Sequence, residues 1–392
     1  MDTLPIEIIM LEISYWLLPL DKQILRRINI KFRDLFFYDE ILFDETVLEL
    51  LHLIKYKSLW SNLTTANMAR HGNIYCLKYL HENGCFWDRN TSIYAARHGN
   101  LHCLKYAYEN GCPWDGDTTL EAAWNGHLDC LKYAHENGCF WNENTTSFAA
   151  RAGHLDCLKY AHENGCPWDE EIVDSISLSG NLNCLKYVHE NGFYLNKYVI
   201  TSMAYYGHLD CLKYLHKNEF HWDEITSSRA ATTGRLDCLK YLHENNCPWD
   251  EETTQCAASS GNLDCLKYLH ENGCPWDDYA TSSAAERGQI ECLKYLHDNG
   301  CPHNEKTITY AVVTGNLHCL KYLYEKVFSL YNNVANSGQL ECLKYLHENG
   351  YPWNEDIVKN VVDNVDCLKY LQDNGCRFDE KILKQISAIK KH

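Results

Sequence analysis

Cys76, His81 and Cys85 follow one another as C-x4-H-x3-C, and the spacing returns at Cys238, His243 and Cys247 and again at Cys265, His270 and Cys274. Thiols and imidazoles in that order could hold zinc, pair as disulfides or act as nucleophiles. A zinc site needs four ligands converging on one point, often with two cysteines two to four residues apart. On a helix, Cys76 and His81 would diverge by about 140° in azimuth. Phe193, Phe220 and Tyr351 replace the second cysteine in three copies, which a packing position tolerates and a ligand does not. Disulfides fail on distance, because equivalent residues of stacked helices lie about 9–10 Å apart and a disulfide needs Cα atoms within about 7 Å. A nucleophile needs a single electropositive pocket, and equivalent copies offer none. The thiols therefore read as small buried hydrophobes, with no metal, no cofactor and no catalytic residue expected.

The elements that carry these residues are set by a period. The cysteine of "CLKY" stands at 76, 103, 130, 157, 184, 211, 238, 265, 292, 319, 342 and 367, a spacing of 27 for nine steps, then 23 and 25. Such self-similarity means stacked units, each burying its apolar face on its neighbours. In the unit from Asn142 to Trp168, Asn142 is the expected N-cap, with Glu143 in the first turn. Ala149 and Ala150 allow close helix contact, and Gly153 ends the first helix in a left-handed conformation. Leu155, Leu158 and Ala161 make the apolar stripe of a second helix, flanked by Cys157 and Tyr160. Asn164-Gly165 closes that helix, and Pro167 keeps the following loop extended.

A repeated helix pair with an Ala-Ala pair, a Gly-His-Leu turn (Gly126-His127-Leu128, Gly153-His154-Leu155, Gly207-His208-Leu209) and a second helix ending in Asn-Gly resembles the ankyrin repeat. The ankyrin unit has 33 residues; the missing six fall after "NGCPWD", where that family carries a β-hairpin, and the Thr-Pro-Leu-His start is absent. The expected fold is all-α, an ankyrin-like helical-hairpin solenoid with a small helical N-terminal head and little or no regular hairpin. The "CLKYLHENGCPW" wording resembles the large ankyrin-repeat families of giant DNA viruses of amoebae.

Two columns read as scaffold. Trp87, Trp114, Trp141, Trp168, Trp222, Trp249, Trp276 and Trp353 are placed to wedge over the seams between units, with His303 and Phe378 in their stead in two copies. The lysines of "CLKY" read as a solvated face, offset by the Glu of "HENG" and the Asp of "PWD". The two residues before each turn glycine vary most. They are Arg70-His71, Arg97-His98, Trp124-Asn125, Arg151-Ala152, Leu178-Ser179, Tyr205-Tyr206, Thr232-Thr233, Ser259-Ser260, Glu286-Arg287, Val313-Thr314 and Asn336-Ser337. The resemblance places them on the concave groove that takes partner proteins. Trp124, Tyr205 and Tyr206 are the leading anchors, since Trp, Tyr and Arg dominate interface energetics.

Residues 1–60 fall outside the period. "LPIEIIMLEISYWLLPLDKQILRRINIKFRDLF" resembles the F-box through Leu4, Pro5, Glu7, Ile8, Ile9, Asp21, Leu25, Ile28, Asn29, Phe32 and Arg33, with Glu12 where that family has an apolar residue and Ile13 next. The resemblance implies binding of the small adaptor subunit of a cullin-type ubiquitin ligase through Leu4, Pro5, Glu7, Ile8, Ile9, Asp21, Leu25, Ile28 and Phe32. The other reading is a helical cap on the first repeat. The expected organisation is a head over 1–40, a coupling helix over 41–61, about twelve repeats over 62–378 and a polar cap over 379–392, with altered stacking near Val327–Tyr331.

The chain has 392 residues, 45% of them hydrophobic, and a formal charge of -17, which argues against nucleic acid or an anionic membrane as the main partner. No run approaches the roughly 18 apolar residues of a membrane span, and the N-terminus lacks a basic n-region. Twenty-one cysteines in such a chain suit a reducing, cytoplasmic setting, that of the host if the chain is viral. No P-loop, dinucleotide fingerprint, zinc-protease helix or nucleophile elbow is present, so no enzyme is expected. The expected function is a monomeric protein-binding scaffold that recruits a target to a ligase; the alternative is a binding protein without that link, sequestering a host or viral partner.

Overall fold

Each 27-residue period becomes two antiparallel helices because glycine stops the first and a loop that cannot be helical stops the second. The computed structural model describes residues 60–168, 171–196, 198–327, 339–350 and 364–376, which contain twenty-two helices and no strand. They fall into two compact units, divided between Asp169 and Glu170. In the first, α1 (Asn62–His71), α2 (Ile74–Glu82), α3 (Arg89–Arg97), α4 (Leu101–Glu109), α5 (Gly116–Trp124), α6 (Leu128–Glu136), α7 (Thr145–Ala152) and α8 (Leu155–Glu163) make four hairpins. In the second, α9 (Ile172–Ser179), α10 (Leu182–Glu190), α11 (Val199–Tyr206), α12 (Leu209–Lys217), α13 (Glu224–Thr232), α14 (Leu236–Glu244), α15 (Glu251–Ser260), α16 (Leu263–Glu271), α17 (Asp278–Glu286), α18 (Ile290–Asp298), α19 (Glu305–Val313) and α20 (Leu317–Val327) make six more. Two further second helices follow, α21 (Leu340–Glu348) and α22 (Val365–Asp373). The all-helical expectation holds for the described residues. The head, the segment near Tyr331 and the C-terminal cap lie outside them.

Within each unit the first helices, odd-numbered through α19, pack most closely on one another. The reason is size. Ala95, Ala96, Ala122, Ala123, Ala149 and Ala150 are fully buried and keep the axes near. Second helices contribute the cysteine and leucines of "CLKYL", as at Cys238, Leu239 and Leu242, each at most 1% exposed. The capping prediction needs one correction. Asn142 does not cap α7; the N-cap is Asn144, and Asn142 instead accepts the Asn144 N–H at 2.9 Å, so the chain takes an extra turn before the helix. In five other hairpins the aspartate that follows the loop tryptophan is the cap, as Asp88, Asp115, Asp223, Asp250 and Asp277 are.

Buried hydroxyls fasten the loops. Thr254 Oγ1 donates to the Pro275 carbonyl at 2.8 Å, Ser227 Oγ to the Pro248 carbonyl at 2.9 Å and Thr281 Oγ1 to the Pro302 carbonyl at 2.9 Å. Each bond ties a first helix to the loop that follows its own second helix, so the two ends of one hairpin are joined. The polar character of these first helices is thus consumed internally, as burial demands.

Candidate functional site

The cysteine–histidine constellation dissolves into packing. Cys76 is fully buried, and the Cys85 thiol donates to the Ser61 carbonyl at 3.5 Å. The same thiol bond recurs from Cys112 to Asp88, from Cys247 to Asp223 and from Cys274 to Asp250, all at 3.3 Å. Burial pushes the thiols of Cys103, Cys130 and Cys157 up to about 12, so they are neutral at any physiological pH. None of the twenty-one cysteines is in a disulfide, and among the described residues no three His, Cys, Asp or Glu side chains gather as a metal site would require.

The histidine has another task. His81 stacks on Trp87 with centroids 3.8 Å apart, and its Nδ1 lies 3.0 Å from the hydroxyl of Tyr106 in the next hairpin. Trp87 meets that same ring edge-on at 6.1 Å, and Lys78 Nζ stands 5.4 Å from its centroid. The arrangement repeats with His243, Trp249 and Lys240 around Tyr268, where the hydrogen bond is 2.8 Å. Eight of the described "CLKY" lysines lie over the next tyrosine, a contact that the expected solvated face does not include, while Lys294 and Lys344 of the same column pair with Glu291 and Glu341 of their own helices. Trp87, Trp114, Trp141, Trp222 and Trp249 bridge seams as expected, each meeting the tyrosine of the next hairpin edge-on, and Trp353 lies outside the described residues.

Outside the seams, the first helices of each unit carry an exposed stripe, and Phe86, Phe140 and Tyr194 are exposed in the loops. None of the described pairs before the turn glycines is buried. In α1, Arg70 and His71 are exposed. In α3, Arg97 is half committed. Its Nε and Nη2 reach Glu121 of α5 at 2.9 and 2.5 Å, and that carboxylate, on a residue 8% exposed, also takes the Asn125 amide at 3.3 Å. Arg97 and Asn125 thus hold the seam as well as line the surface. His98 is exposed, and its affinity for protons is lowered, first by desolvation and then by Arg70, Arg97, His127 and His71. Trp124, 41% exposed, rests edge-on against Phe148 with centroids 4.6 Å apart. Arg151 is exposed at the end of α7.

In the second unit Tyr205 meets Tyr206 edge-on at 5.0 Å, and Tyr206 leans towards His208 at 6.1 Å. The Tyr205 carbonyl accepts the Thr233 hydroxyl at 2.5 Å. Arg287 is exposed, whereas Glu286 is half-buried and its carbonyl accepts Asn316 Nδ2 at 2.6 Å.

The stripe is wider than the paired columns. Residues three and seven before the last-turn position share its face, which adds Tyr94 beneath Arg97, with the guanidinium 5.4 Å from its ring, Phe148 in α7, and Tyr198, Ile225 and Tyr279 at the starts of α11, α13 and α17. Tyr198 and Tyr279 are 63% and 52% exposed. The signal was present in the sequence, since these columns also vary at the 27-residue spacing.

The predicted adaptor-binding residues Leu4, Pro5, Glu7, Ile8, Ile9, Asp21, Leu25, Ile28 and Phe32 lie outside the described residues. Among the described residues no helix is long and apolar enough to cross a membrane.

Two family models match the chain. The one described as "Ankyrin repeats (3 copies)" matches residues 66–145 and 254–334, and the one described as "Ankyrin repeats (many copies)" matches residues 200–243. No curated protein sequence matches it. Among solved structures, the human ASB11 ankyrin repeat domain is 22% identical over 47% of this chain and 84% of that one, with a TM-score of 0.28. The pentatricopeptide repeat protein PPR10 in complex with an 18-nt psaJ RNA element is 12% identical over 83% of this chain, with a TM-score of 0.31. PPR10 from maize is 12% identical over 97% of this chain, with a TM-score of 0.30. The alignments span 63% and 65% of those two PPR10 chains.

Proposed function

Since the chain belongs to the ankyrin-repeat family, whose models together match just over half of it, we propose that it is a protein-binding scaffold that grips its target along the exposed stripe that the first helices carry within each unit. The observation that carries this reading is a division of labour. The second helices and loops repeat the same seam residues, while the first-helix stripe changes along the chain, only α1 and α3 sharing an Arg-His pair, and bears aromatic side chains held by their neighbours, such as Trp124 on Phe148 and Tyr205 on Tyr206. Aromatic anchors that are already ordered lose little entropy on binding. A scaffold of this kind does no chemistry of its own; holding a target near an enzyme raises its effective concentration there.

The finer proposal is that residues 1–40 deliver the bound target to a cullin-type ubiquitin ligase. Its support is the F-box resemblance of Leu4, Pro5, Glu7, Ile8, Ile9, Asp21, Leu25, Ile28 and Phe32. The competing reading is sequestration of a partner without a ligase.

The test uses the full chain with a photo-crosslinking residue at Tyr205, at Trp124 or, as a control on the second-helix face, at Asp237. Crosslinks to one partner from the first two positions and none from the third are expected; equal crosslinking from Asp237 overturns the stripe. A pull-down with the ligase adaptor separates the finer readings, because intact chain that binds it and a Leu4→Ala, Pro5→Ala variant that does not support recruitment, and no binding by the intact chain leaves sequestration.

A further inference from the structure

We propose that a cleft beside the loop after α12 binds an arginine side chain of a partner protein, held between aromatic rings and the Glu219 carboxylate. The site lies on loops and second-helix ends, off the exposed stripe of the first helices, and does not depend on that stripe.

One loop breaks the pattern of its neighbours. Where residues 270–276 read "HENGCPW", residues 216–222 read "HKNEFHW". Glu219 stands at φ +65° and Asn246, in the next copy, at φ +62°, the only non-glycine residues with positive φ among the described residues. Other copies place glycine there, as at Gly192 and Gly273. Asparagine tolerates the left-handed region, whereas a glutamate held there costs stability, the mark of a side chain that serves something other than folding. Both residues line one cleft of about 490 Å³, together with His216, Phe220, His221 and Trp222. Its walls are fixed in place. His216 lies against Trp222 with centroids 3.9 Å apart, and its Nδ1 is 2.9 Å from the Tyr241 hydroxyl. Phe220 takes a position filled by a buried thiol at Cys247 and Cys274. Its ring is half-buried and meets His189 of the preceding hairpin edge-on at 5.5 Å.

The chemistry of the cleft selects its occupant. Glu219 is exposed and, among the described residues, makes no ion pair, so its carboxylate is open to a cation. Lys217, the nearest lysine in sequence, lines a different cleft with Lys186. Burial lowers the proton affinity of His216, which keeps positive charge off the aromatic wall. A flat guanidinium stacks on such rings and gives a carboxylate two parallel N–H donors, with the Asn246 amide oxygen as a further acceptor. An ammonium lacks both the plane and the fork. A carboxylate or phosphate would meet Glu219 and a chain of net charge -17. An arginine within a partner's chain is favoured over the free amino acid, whose own carboxylate Glu219 repels.

The experiment is isothermal titration calorimetry of the blocked peptide acetyl-Gly-Ser-Arg-Ser-Gly-amide into the full chain at physiological salt. The same peptide with citrulline, which keeps the shape and removes the charge, should bind about tenfold more weakly, the scale of one charged hydrogen bond. A lysine peptide should also bind more weakly than the arginine one. Glu219→Gly, Phe220→Cys and His221→Pro together restore the wording of residues 273–275, so this variant should keep a thermal midpoint no lower than the parent's and lose binding by about tenfold or more. Glu219→Gln should lose binding with an unchanged circular dichroism spectrum. Absence of arginine-peptide binding, binding that survives restoration of the loop or Glu219→Gln, or equal binding of the citrulline or lysine peptide overturns the site. Competition by free arginine as strong as that of the peptide overturns its assignment to a partner protein. The Tyr205 crosslink decides the stripe separately, so a failed titration with an intact crosslink removes this site alone.

Discussion

Gly126 and Gly138 offer a controlled comparison, because both are left-handed, at φ +76° and +85°, and differ in what stands beside them. A Cβ added at Gly138 would meet nothing within 4 Å, whereas at Gly126 it would lie 2.6 Å from His154 Cε1 and Nδ1 and 2.9 Å from Cγ. Gly138→Ala should therefore cost only the left-handed conformation, roughly 1–2 kcal/mol. Gly126→Ala carries the same cost plus displacement of the half-buried ring of His154, the N-cap residue of the second helix of the next hairpin, about 1–3 kcal/mol more. Urea unfolding followed at 222 nm measures both. Stacks of repeats can unfold in parts, so hydrogen exchange across α5 to α8 should accompany it and show the added loss at that seam. His154→Ala removes the obstacle; in that background the two glycine changes should cost about the same. Equal losses in the parent chain, or no convergence without His154, would refute the claim that close approach of successive turns fixes glycine there.

Two further expectations concern the seams. Tyr268→Phe removes the 2.8 Å bond to His243 and keeps the ring near Lys240 and Trp249, so it should lower stability by about 0.5–1.5 kcal/mol. Tyr268→Leu should lower it further, and equal losses from the two changes would mean the ring contacts contribute nothing. With a thiol-specific disulfide reagent at pH 8, Cys256 and Cys376, the two half-buried cysteines, should react promptly in the native chain and all twenty-one after unfolding in urea. Prompt native modification of Cys103 or Cys130, located by mass spectrometry, would contradict their burial.

The hairpin frame was legible because its causes are local. Gly153 and the Pro167 loop stop helices wherever they occur, and the stripe Leu155, Leu158, Ala161 needs only a helical period to be seen. The metal pattern could be set aside on azimuth alone. What stayed hidden involves pairs 25 to 31 residues apart. Nothing in "CLKY" by itself says that its lysine lies over the tyrosine of the next copy, or that its tyrosine hydroxyl meets the histidine of the copy before. Asn100 likewise looks like an ordinary turn residue, yet its amide bonds the Ala69 and Arg70 carbonyls at 2.8 and 2.9 Å and finishes the end of the preceding first helix. The misplaced cap at Asn142 is a smaller case, in which two asparagines two residues apart both suit the role and only the backbone path chooses Asn144.

The placement of the polar contacts bears on how such a chain could change partners. The ring and lysine contacts of the seams lie on second helices and loops, and first helices add bonds of their own, such as Thr65–Thr91, Arg89–Asp115 and Gln255–Ser283. In two places residues of the exposed stripe are also fasteners, the network of Arg97, Glu121 and Asn125 and the bond from the Thr233 hydroxyl to the Tyr205 carbonyl. Replacing Glu121 would leave Arg97 without its carboxylate, so at this place stability and the charge offered to a partner are set by the same residue. Elsewhere along the stripe the two can vary independently, which is the physical condition for a repeat array to acquire a new binding face while keeping its frame.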